Sequence, residues 1–236
     1  MKNLILIRHG ESVWNLENKF TGWFDVGLTQ KGKEEAETAG KLIKNLNIEI
    51  DKYFTSYQKR AYETLFLIIK KLEDKKEIIK AWELNERHYG NLTGLNKKEM
   101  EDKFGSDQVF KWRRSWDVPP PAIEANNPYY NKIFDSYKNI PKNKIPDTES
   151  LKDTYERVIP YFKNNLENKL NKNILVAAHG NSIRSLCKYL FKLDEKEISK
   201  LEIPTGNPLI LKFDENKTLK KAEYLDKDRA KDLLTF

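Results

Sequence analysis

Residues 173–182 read Asn-Ile-Leu-Val-Ala-Ala-His-Gly-Asn-Ser, and this stretch decides the fold. Its first six residues are mostly apolar, which is typical of a strand that is buried on both faces of a sheet. A helix is predicted directly afterwards, from Ser182 to Phe191. The polar His-Gly-Asn-Ser cluster therefore lies where a strand ends and a helix begins, and open α/β sheets bind their ligands at such points.

The N-terminus shows the same arrangement. Lys2 to Ile7 forms an apolar run that predicts a buried, parallel strand, and Arg8-His9-Gly10-Glu11-Ser12 follows it. An anion suits this site, because an arginine grips phosphate with two prongs and a glycine lets the backbone approach closely. His9 can then act as a base, a nucleophile or a donor. Two of the three histidines lie in such His-Gly steps, so a shared function is favoured over two structural turn histidines.

The remaining pattern alternates strands with helices, which predicts an α/β fold with a mostly parallel central sheet and helices on both faces. Further helices are predicted over 28–46 with Thr29 as N-cap, over 58–72, and over 148–170 with Thr148 as a possible cap and a kink or break at Pro160. Further strands are predicted over 53–56, 77–81 and 209–213, with a possible edge strand over 222–225. Residues 86–146 interrupt the alternation, which indicates a long insertion after the third strand that acts as a lid or binding loop.

Length and composition limit the class of protein. The chain has 236 residues, of which 39% are hydrophobic and 33% are charged, and this suits one domain with an embedded insertion. No apolar run is long enough to span a bilayer, and the four apolar residues before Arg8 are too few for a signal peptide. The single cysteine, Cys187, excludes an intramolecular disulfide framework, so a cytoplasmic location is expected.

The net charge of +7 fits either a nucleic-acid-binding protein or an enzyme for acidic substrates. Lysines are scattered beside acidic residues and indicate a solvated surface, whereas the eight arginines are more informative. Arg60 follows a predicted strand end at the start of a helix. It therefore adds positive potential at the same edge of the sheet as Arg8 and His9. The stretch Phe110-Lys111-Trp112-Arg113-Arg114-Ser115-Trp116 is compatible with stacking on bases or with binding an acidic metabolite.

Several blocks of sequence together carry a family resemblance. Arg8-His9-Gly10 with Arg60 and His179 resembles the histidine phosphatase superfamily. Longer blocks are similar to the cofactor-dependent phosphoglycerate mutases within it; they cover residues 8–15, 20–23, 84–90, 94–97, 112–115, 177–182 and 203–206. Phosphatase members generally lack the later blocks, which favours the mutases over the phosphatases. The family match as a whole argues against the nucleic-acid alternative.

The resemblance implies a reaction and its catalytic residues. His9 would be the phosphorylated nucleophile, with Arg8, Arg60 and His179 around the moving phosphoryl group. Glu86 would exchange a proton with the substrate hydroxyl, a role that a raised pKa would assist. The reaction would interconvert 3-phosphoglycerate and 2-phosphoglycerate in glycolysis and gluconeogenesis, with 2,3-bisphosphoglycerate as primer and intermediate and with no metal.

The resemblance also implies the substrate contacts and the partners. The substrate-binding residues would be Asn15, Thr21, Gly22, Tyr89, Lys97, Arg113, Arg114, Gly180 and Asn181. The expected partners are phosphoglycerates and a second or further copies of the chain, as a homodimer or homotetramer, with no nucleic acid and no membrane. The alternative within the fold is a bisphosphoglycerate synthase or phosphatase. Residues 228–236 form a shorter, more apolar tail than many members have, which would exclude water less well and raise phosphatase side activity.

Overall fold

The computed structural model of the protein describes residues 1–232; residues 233–236, the end of the tail noted above, lie outside the described residues. A six-stranded sheet has the order β3-β2-β4-β1-β5-β6. The strands are β1 (Lys2–Arg8), β2 (Lys52–Thr55), β3 (Ile78–Lys80), β4 (Ile174–Ala178), β5 (Leu209–Phe213) and β6 (Leu219–Tyr224). The first four are parallel, whereas β5 pairs antiparallel with β1 and β6 antiparallel with β5. The prediction of a mostly parallel sheet is confirmed.

Helices cover both faces of this sheet, as predicted. They are α1 (Val13–Leu16), α2 (Gln30–Lys44), α3 (Lys59–Leu72), α4 (Lys97–Phe104), α5 (Ser106–Arg114), α6 (Tyr130–Ser136), α7 (Leu151–Asn165), α8 (Gly180–Phe191) and α9 (Glu195–Lys200), with 3₁₀ turns at Trp82–Leu84, Gly90–Leu92, Lys142–Lys144 and Glu167–Lys169. Because successive side chains of a strand point to opposite faces, Leu4 and Leu6 join a core under α7 and α8. Ile5 and Ile7 join a second core under α2 and α3. No helix within residues 1–232 is both long and apolar enough to cross a membrane.

The N-terminal ends of two helices test the capping predictions. Thr29 caps α2 as predicted, because its hydroxyl accepts the backbone N–H of Gly32. The prediction of Thr148 for α7 is wrong: Ser150 is the cap, and it forms a reciprocal capping box with Asp153. The Thr148 hydroxyl instead donates to the carbonyl of Pro120.

Pro160 lies inside α7 and does not break it, so of the predicted kink or break the break is wrong and the kink stays a prediction. A proline removes one hydrogen bond and strains the preceding turn. The helix continues because its other face buries Val158, Ile159 and Phe162 in the core beside α8. The free energy gained by this packing thus exceeds the cost of the hydrogen bond that Pro160 removes.

Residues 86–146 are more regular than their sequence suggests. They contain α4, α5 and α6 and contribute to two small apolar clusters of their own. One cluster gathers Leu92, Met100, Val109 and Trp112 around Phe20, and the other gathers several residues around Trp23. The segment therefore packs against the loop that follows α1. Its description as a substrate-binding cap stays a prediction.

Strand register positions the predicted site. Arg8 pairs with Ala178, and Thr55 pairs with Ala177, so the carboxyl ends of β1, β2 and β4 lie side by side. The next residues along the chain are His9, Ser56 and His179. Parallel pairing thus brings together three stretches that are far apart in sequence.

Candidate active site

The carboxyl ends of the parallel strands open into a cavity of about 240 Å³. Thirteen of the fourteen predicted site residues line it: Arg8, His9, Asn15, Thr21, Gly22, Arg60, Glu86, Tyr89, Lys97, Arg113, Arg114, Gly180 and Asn181. The fourteenth, His179, is fully buried and lies next to His9, with 5.0 Å between the ring centroids. The structure thus brings the predicted residues into one place. What each residue does there is taken up under the proposed function.

His9 is held as a neutral ring with one nitrogen free for chemistry. Its Nδ1 lies 2.7 Å from the carbonyl oxygen of Gly10. Because a carbonyl only accepts, Nδ1 carries the proton and the lone pair is on Nε2. Burial, followed by the charges of Arg60 and Arg8, lowers the pKa of His9 well below its usual value. The ring is therefore a ready nucleophile at neutral pH.

Gly10 shapes the loop that carries His9. A Cβ at this position would lie 2.1 Å from the carbonyl oxygen of Gly32 in α2. The Gly10 N–H donates to the hydroxyl of Thr64 in α3. The sequence assigned Gly10 to close approach of a phosphate, whereas the structure shows that close approach to α2 requires it.

His179 precedes α8 and uses its ring nitrogens differently. Its Nε2 lies 2.7 Å from Oγ of Ser56, which also accepts the backbone N–H of Gln58. The Nδ1 atom is buried without a partner. Burial, followed by the charge of Arg60, lowers the pKa of His179 well below its usual value. A neutral hydrogen-bond donor is therefore the form of His179 that fits this site.

Arg8 and Arg60 supply buried positive charge. Arg8 donates from Nη1 to the carbonyl of Ile203, and its buried Nε has no partner. Arg60 donates to the carbonyls of Gly22 and Phe24, which anchors its guanidinium beside the cavity. Burial lowers the pKa of both arginines, yet each stays protonated because an arginine begins so high. Such desolvated cations interact strongly with an anion that enters.

Glu86 is buried and faces the same cavity. Its Oε1 accepts the backbone N–H groups of Arg87 and Asn181, at 2.8 Å and 3.1 Å. Burial by itself would raise the pKa of Glu86, but the Arg87 N–H and the nearby arginine charges lower it overall. The raised pKa considered for this residue is therefore not found. In the free site Glu86 is a carboxylate, and a carboxylate is the form that accepts a proton.

Two groups behind the cavity hold the Glu86 backbone. The side-chain oxygen of Gln58 accepts the Glu86 N–H, and Nη2 of Arg157 donates to the Glu86 carbonyl. Arg157 is itself fixed by an ion pair with Glu149, which is buried, at 2.6 Å. The sequence showed Arg157 as one of eight arginines but gave no sign of this role.

The wall formed by residues 89–114 contributes further cations. Lys97 begins α4, and burial lowers its pKa. Arg113 and Arg114 end α5. The Tyr89 hydroxyl accepts from the Asn181 side chain at 3.3 Å. Burial by itself would raise the pKa of Tyr89, but the charge of Arg87, its hydrogen bond to Tyr89 and the charge of Arg113 together lower the pKa to about 8.

Four residues of the lining were not predicted: Lys19, Phe20, Arg184 and Glu202. Arg184 follows the sequence block 177–182 and lies three residues after Asn181. Residues three apart share one face of a helix, so the predicted helix could have placed Arg184 beside Asn181. Glu202 precedes the block 203–206 and carries no sequence signal. Within residues 1–232, no three His, Cys, Asp or Glu side chains cluster closely enough to hold a metal ion.

Comparison with known proteins assigns the chain to a family. Residues 4–224 match the family model of the histidine phosphatase superfamily, branch 1. The chain belongs to the histidine phosphatase superfamily. This superfamily member is 57% identical over 238 residues to the 2,3-bisphosphoglycerate-dependent phosphoglycerate mutase of Pelagibacter ubique strain HTCC1062, with 100% of both chains covered. It is 48% identical over 228 residues to the protein of the same name from Hydrogenobaculum sp. strain Y04AAS1, with 95% of this chain and 92% of the relative covered.

Solved structures agree on the fold of this superfamily member. The YhfR protein of Bacillus stearothermophilus superposes with a TM-score of 0.70, covering 93% of this chain and 95% of its own. Its sequence identity is 20%, so the likeness concerns the fold alone. The predicted α/β architecture is confirmed by this likeness as well as by the sheet itself.

Proposed function

We propose that this protein is a phosphoglycerate mutase that interconverts 3-phosphoglycerate and 2-phosphoglycerate through phosphorylated His9, with 2,3-bisphosphoglycerate as primer and intermediate. The observation that carries the proposal is the pairing of a neutral His9, with Nε2 free, and an ionised Glu86 in one arginine-lined cavity. Full-length relatives named as mutases support it.

Phosphoryl transfer begins on His9. The Nε2 lone pair attacks a phosphorus of 2,3-bisphosphoglycerate, an N–P bond forms, the bond from phosphorus to the glycerate oxygen breaks, and that oxygen takes up a proton from solvent. Arg8, Arg60 and Nδ1 of His179 would donate to the phosphoryl oxygens, where negative charge is concentrated in the transition state. The Arg8 Nε and His179 Nδ1 atoms suit this role because they are buried donors with no protein partner.

Glu86 handles the proton of each half-reaction. When 3-phosphoglycerate binds phospho-His9, its 2-hydroxyl attacks phosphorus and gives its proton to Glu86, and the N–P bond breaks. The resulting 2,3-bisphosphoglycerate reorients and returns its 3-phosphoryl group to His9. Glu86 then gives the proton to the 3-oxygen as that oxygen leaves. Since Oε1 already accepts two backbone N–H groups, Oε2 is the oxygen for this exchange.

The remaining predicted residues would hold the substrate. Arg113, Arg114 and Lys97 would bind the carboxylate and the phosphate that is not reacting, as part of a cap formed by residues 86–146. Neutral donors and backbone would complete the site at Asn15, Thr21, Gly22, Tyr89, Gly180 and Asn181. The arrangement needs no metal, because cationic side chains supply the charge.

The proposal extends to the setting of the enzyme. We place it in glycolysis and gluconeogenesis, in the cytoplasm, as a homodimer or homotetramer that binds neither nucleic acid nor membranes. Cys187, its only cysteine, is a buried free thiol, which suits a reducing compartment.

The test is whether His9 takes up phosphate. Purified protein is incubated with 2,3-bisphosphoglycerate, and phosphopeptides are mapped under base, because phosphohistidine is stable in base and labile in acid. We expect phosphate on His9 in the wild type and none in His9→Ala, which should also lack mutase activity. A wild type that never takes up phosphate, or a His9→Ala variant with full activity, contradicts the mechanism. Isomerisation slower than hydrolysis of 2,3-bisphosphoglycerate would favour the phosphatase or synthase alternative.

A further inference from the structure

Three consecutive residues of the chain contact three arginines of the cavity. The Leu201 carbonyl accepts from Nε of Arg184 at 2.8 Å, and the Ile203 carbonyl accepts from Nη1 of Arg8 at 2.8 Å. Between them, the Glu202 carboxylate accepts from Nη2 of Arg114 at 2.6 Å. The first two arginines are held by neutral oxygens. Arg114 alone is held by a charged one.

The ion pair with Glu202 engages only one of the two terminal nitrogens of Arg114. Its Nη1 is buried and has no partner, while its Nη2 is occupied by Glu202. An arginine binds a carboxylate or phosphate best with two prongs. A ligand that used both nitrogens of Arg114 would have to displace the Glu202 carboxylate.

Glu202 is free to be displaced. Its side chain is 54% exposed, against 18% for Arg114, so water can solvate the carboxylate once it has left. Its negative charge also reaches Arg8, whose pKa it raises, although burial lowers that pKa overall. Apart from Glu86, it is the one acidic side chain in a described cavity wall that carries seven lysines and arginines.

We propose that Glu202 is a specificity-determining residue that competes with the substrate for Arg114. In the free site its carboxylate stands in for the carboxylate or distal phosphate of the ligand. It thereby weakens binding of phosphoglycerates and shortens the time for which the bisphosphorylated intermediate is held. A small anion bound only beside His9 does not meet this competition. The inference rests on the proposed mutase function, because it assumes that a phosphoglycerate reaches Arg114.

The test measures binding and turnover for Glu202→Gln, which keeps the shape and removes the charge. We expect the dissociation constant for 3-phosphoglycerate, by calorimetry, and its KM to fall about twofold to fivefold, as for release of a partly exposed ion pair. Glu195→Gln in α9 removes the same charge outside the cavity wall and should leave both constants at wild-type values. Inhibition by orthovanadate, which fits beside His9, should change less than twofold.

A double-mutant cycle with Arg114→Ala shows whether the effect passes through Arg114. The gain from Glu202→Gln should vanish in the Arg114→Ala background. Equal dissociation constants for wild type and Glu202→Gln, or an unchanged gain without Arg114, overturn the role of Glu202. A wild type that binds 3-phosphoglycerate without isomerising it contradicts the proposed function instead, and the calorimetric comparison then still decides the role of Glu202.

Discussion

His9 and His179 differ in their properties because their ring nitrogens make different hydrogen bonds. His9 donates a hydrogen bond from its Nδ1–H to a carbonyl and so keeps a lone pair on Nε2. His179 meets a hydroxyl at Nε2, and this leaves Nδ1 without a partner. A serine hydroxyl can donate to Nε2, and then Nδ1 carries the proton. These states suit the roles that we propose, with His9 as nucleophile and His179 as donor.

A single substitution tests the proton transfer that we propose for Glu86. Glu86→Gln keeps an oxygen for the two backbone N–H groups but removes the proton acceptor. We expect kcat to fall by roughly 10²- to 10⁴-fold, the usual contribution of general acid–base catalysis, with KM changed only slightly. Steady-state isomerisation of 3-phosphoglycerate measures both.

Glu83→Gln is the matched control for Glu86, because Glu83 lies three residues away and outside the cavity wall. It should keep wild-type kcat. If Glu86→Gln also keeps it, another group moves the proton.

The start of α8 places backbone where a side chain would obstruct the ligand. A Cβ at Gly180 would lie 3.5 Å from Nη1 of Arg184, 3.7 Å from Oε2 of Glu86 and 3.8 Å from Nε of Arg8. These are ordinary contact distances, so the fold accepts a methyl group there. The methyl group would nevertheless stand among Glu86 and Arg8, which we propose react with or bind the substrate.

Gly180→Ala therefore separates folding from function. We expect unfolding free energy to stay equal or to rise by about 0.4–1 kcal/mol, because alanine restricts the unfolded chain. We expect kcat/KM to fall on the order of 100-fold, as for a misplaced substrate. Urea denaturation and isomerisation kinetics measure the two quantities.

Gly27→Ala is the matched control for Gly180. Its Cβ would meet Glu63 at 3.4 Å, outside the cavity wall, and activity should stay at the wild-type level. An active Gly180→Ala protein would show that the ligand does not approach this helix end.

The whole molecule buries all three of its histidines, His9, His88 and His179, and burial is the main cause that lowers each pKa. For His88 the value is about 3. In the unfolded chain the histidines bind protons near pH 6.5, whereas the folded chain keeps them neutral. Protonation therefore favours the unfolded state as the pH falls below 6.5, and the stability present above that pH is lost.

We expect the free energy of unfolding to fall by about 1 kcal/mol per histidine between pH 6.5 and about 5.5, or about 3 kcal/mol in all. Urea denaturation at the two pH values measures the loss. His88→Asn offers an amide oxygen in place of the Nδ1 that accepts the Gly90 N–H, and it should show about two-thirds of the loss. Equal stability at both pH values in the wild type would mean that the folded protein takes up protons as readily as the unfolded chain.

The sequence predicted much of this architecture because its signals are local. The apolar runs ending in Arg8-His9-Gly10 and His179-Gly180 specify buried strands and the polar turns after them, and the structure confirms β1 and β4. Thr29 was readable as a cap, since a cap acts within one turn of helix. The sequence could not show that Ser150 rather than Thr148 is the cap of α7, because the hydroxyl of Thr148 binds the carbonyl of Pro120, 28 residues away.

By itself, the sequence determined which residues stand at the strand ends, and hence where the candidate anion site lies; the role of His9 as its nucleophile stays a proposal. The tertiary structure alone decided the contacts that tune them. Ser56 reaches His179 across 123 residues, Arg114 reaches Glu202 across 88, and Gly10 meets Gly32 of a neighbouring helix. Strand order and helix packing create such contacts, and no local pattern of the chain encodes them. For the same reason the ionised state of Glu86 follows from buried arginine charges that only the fold brings near it.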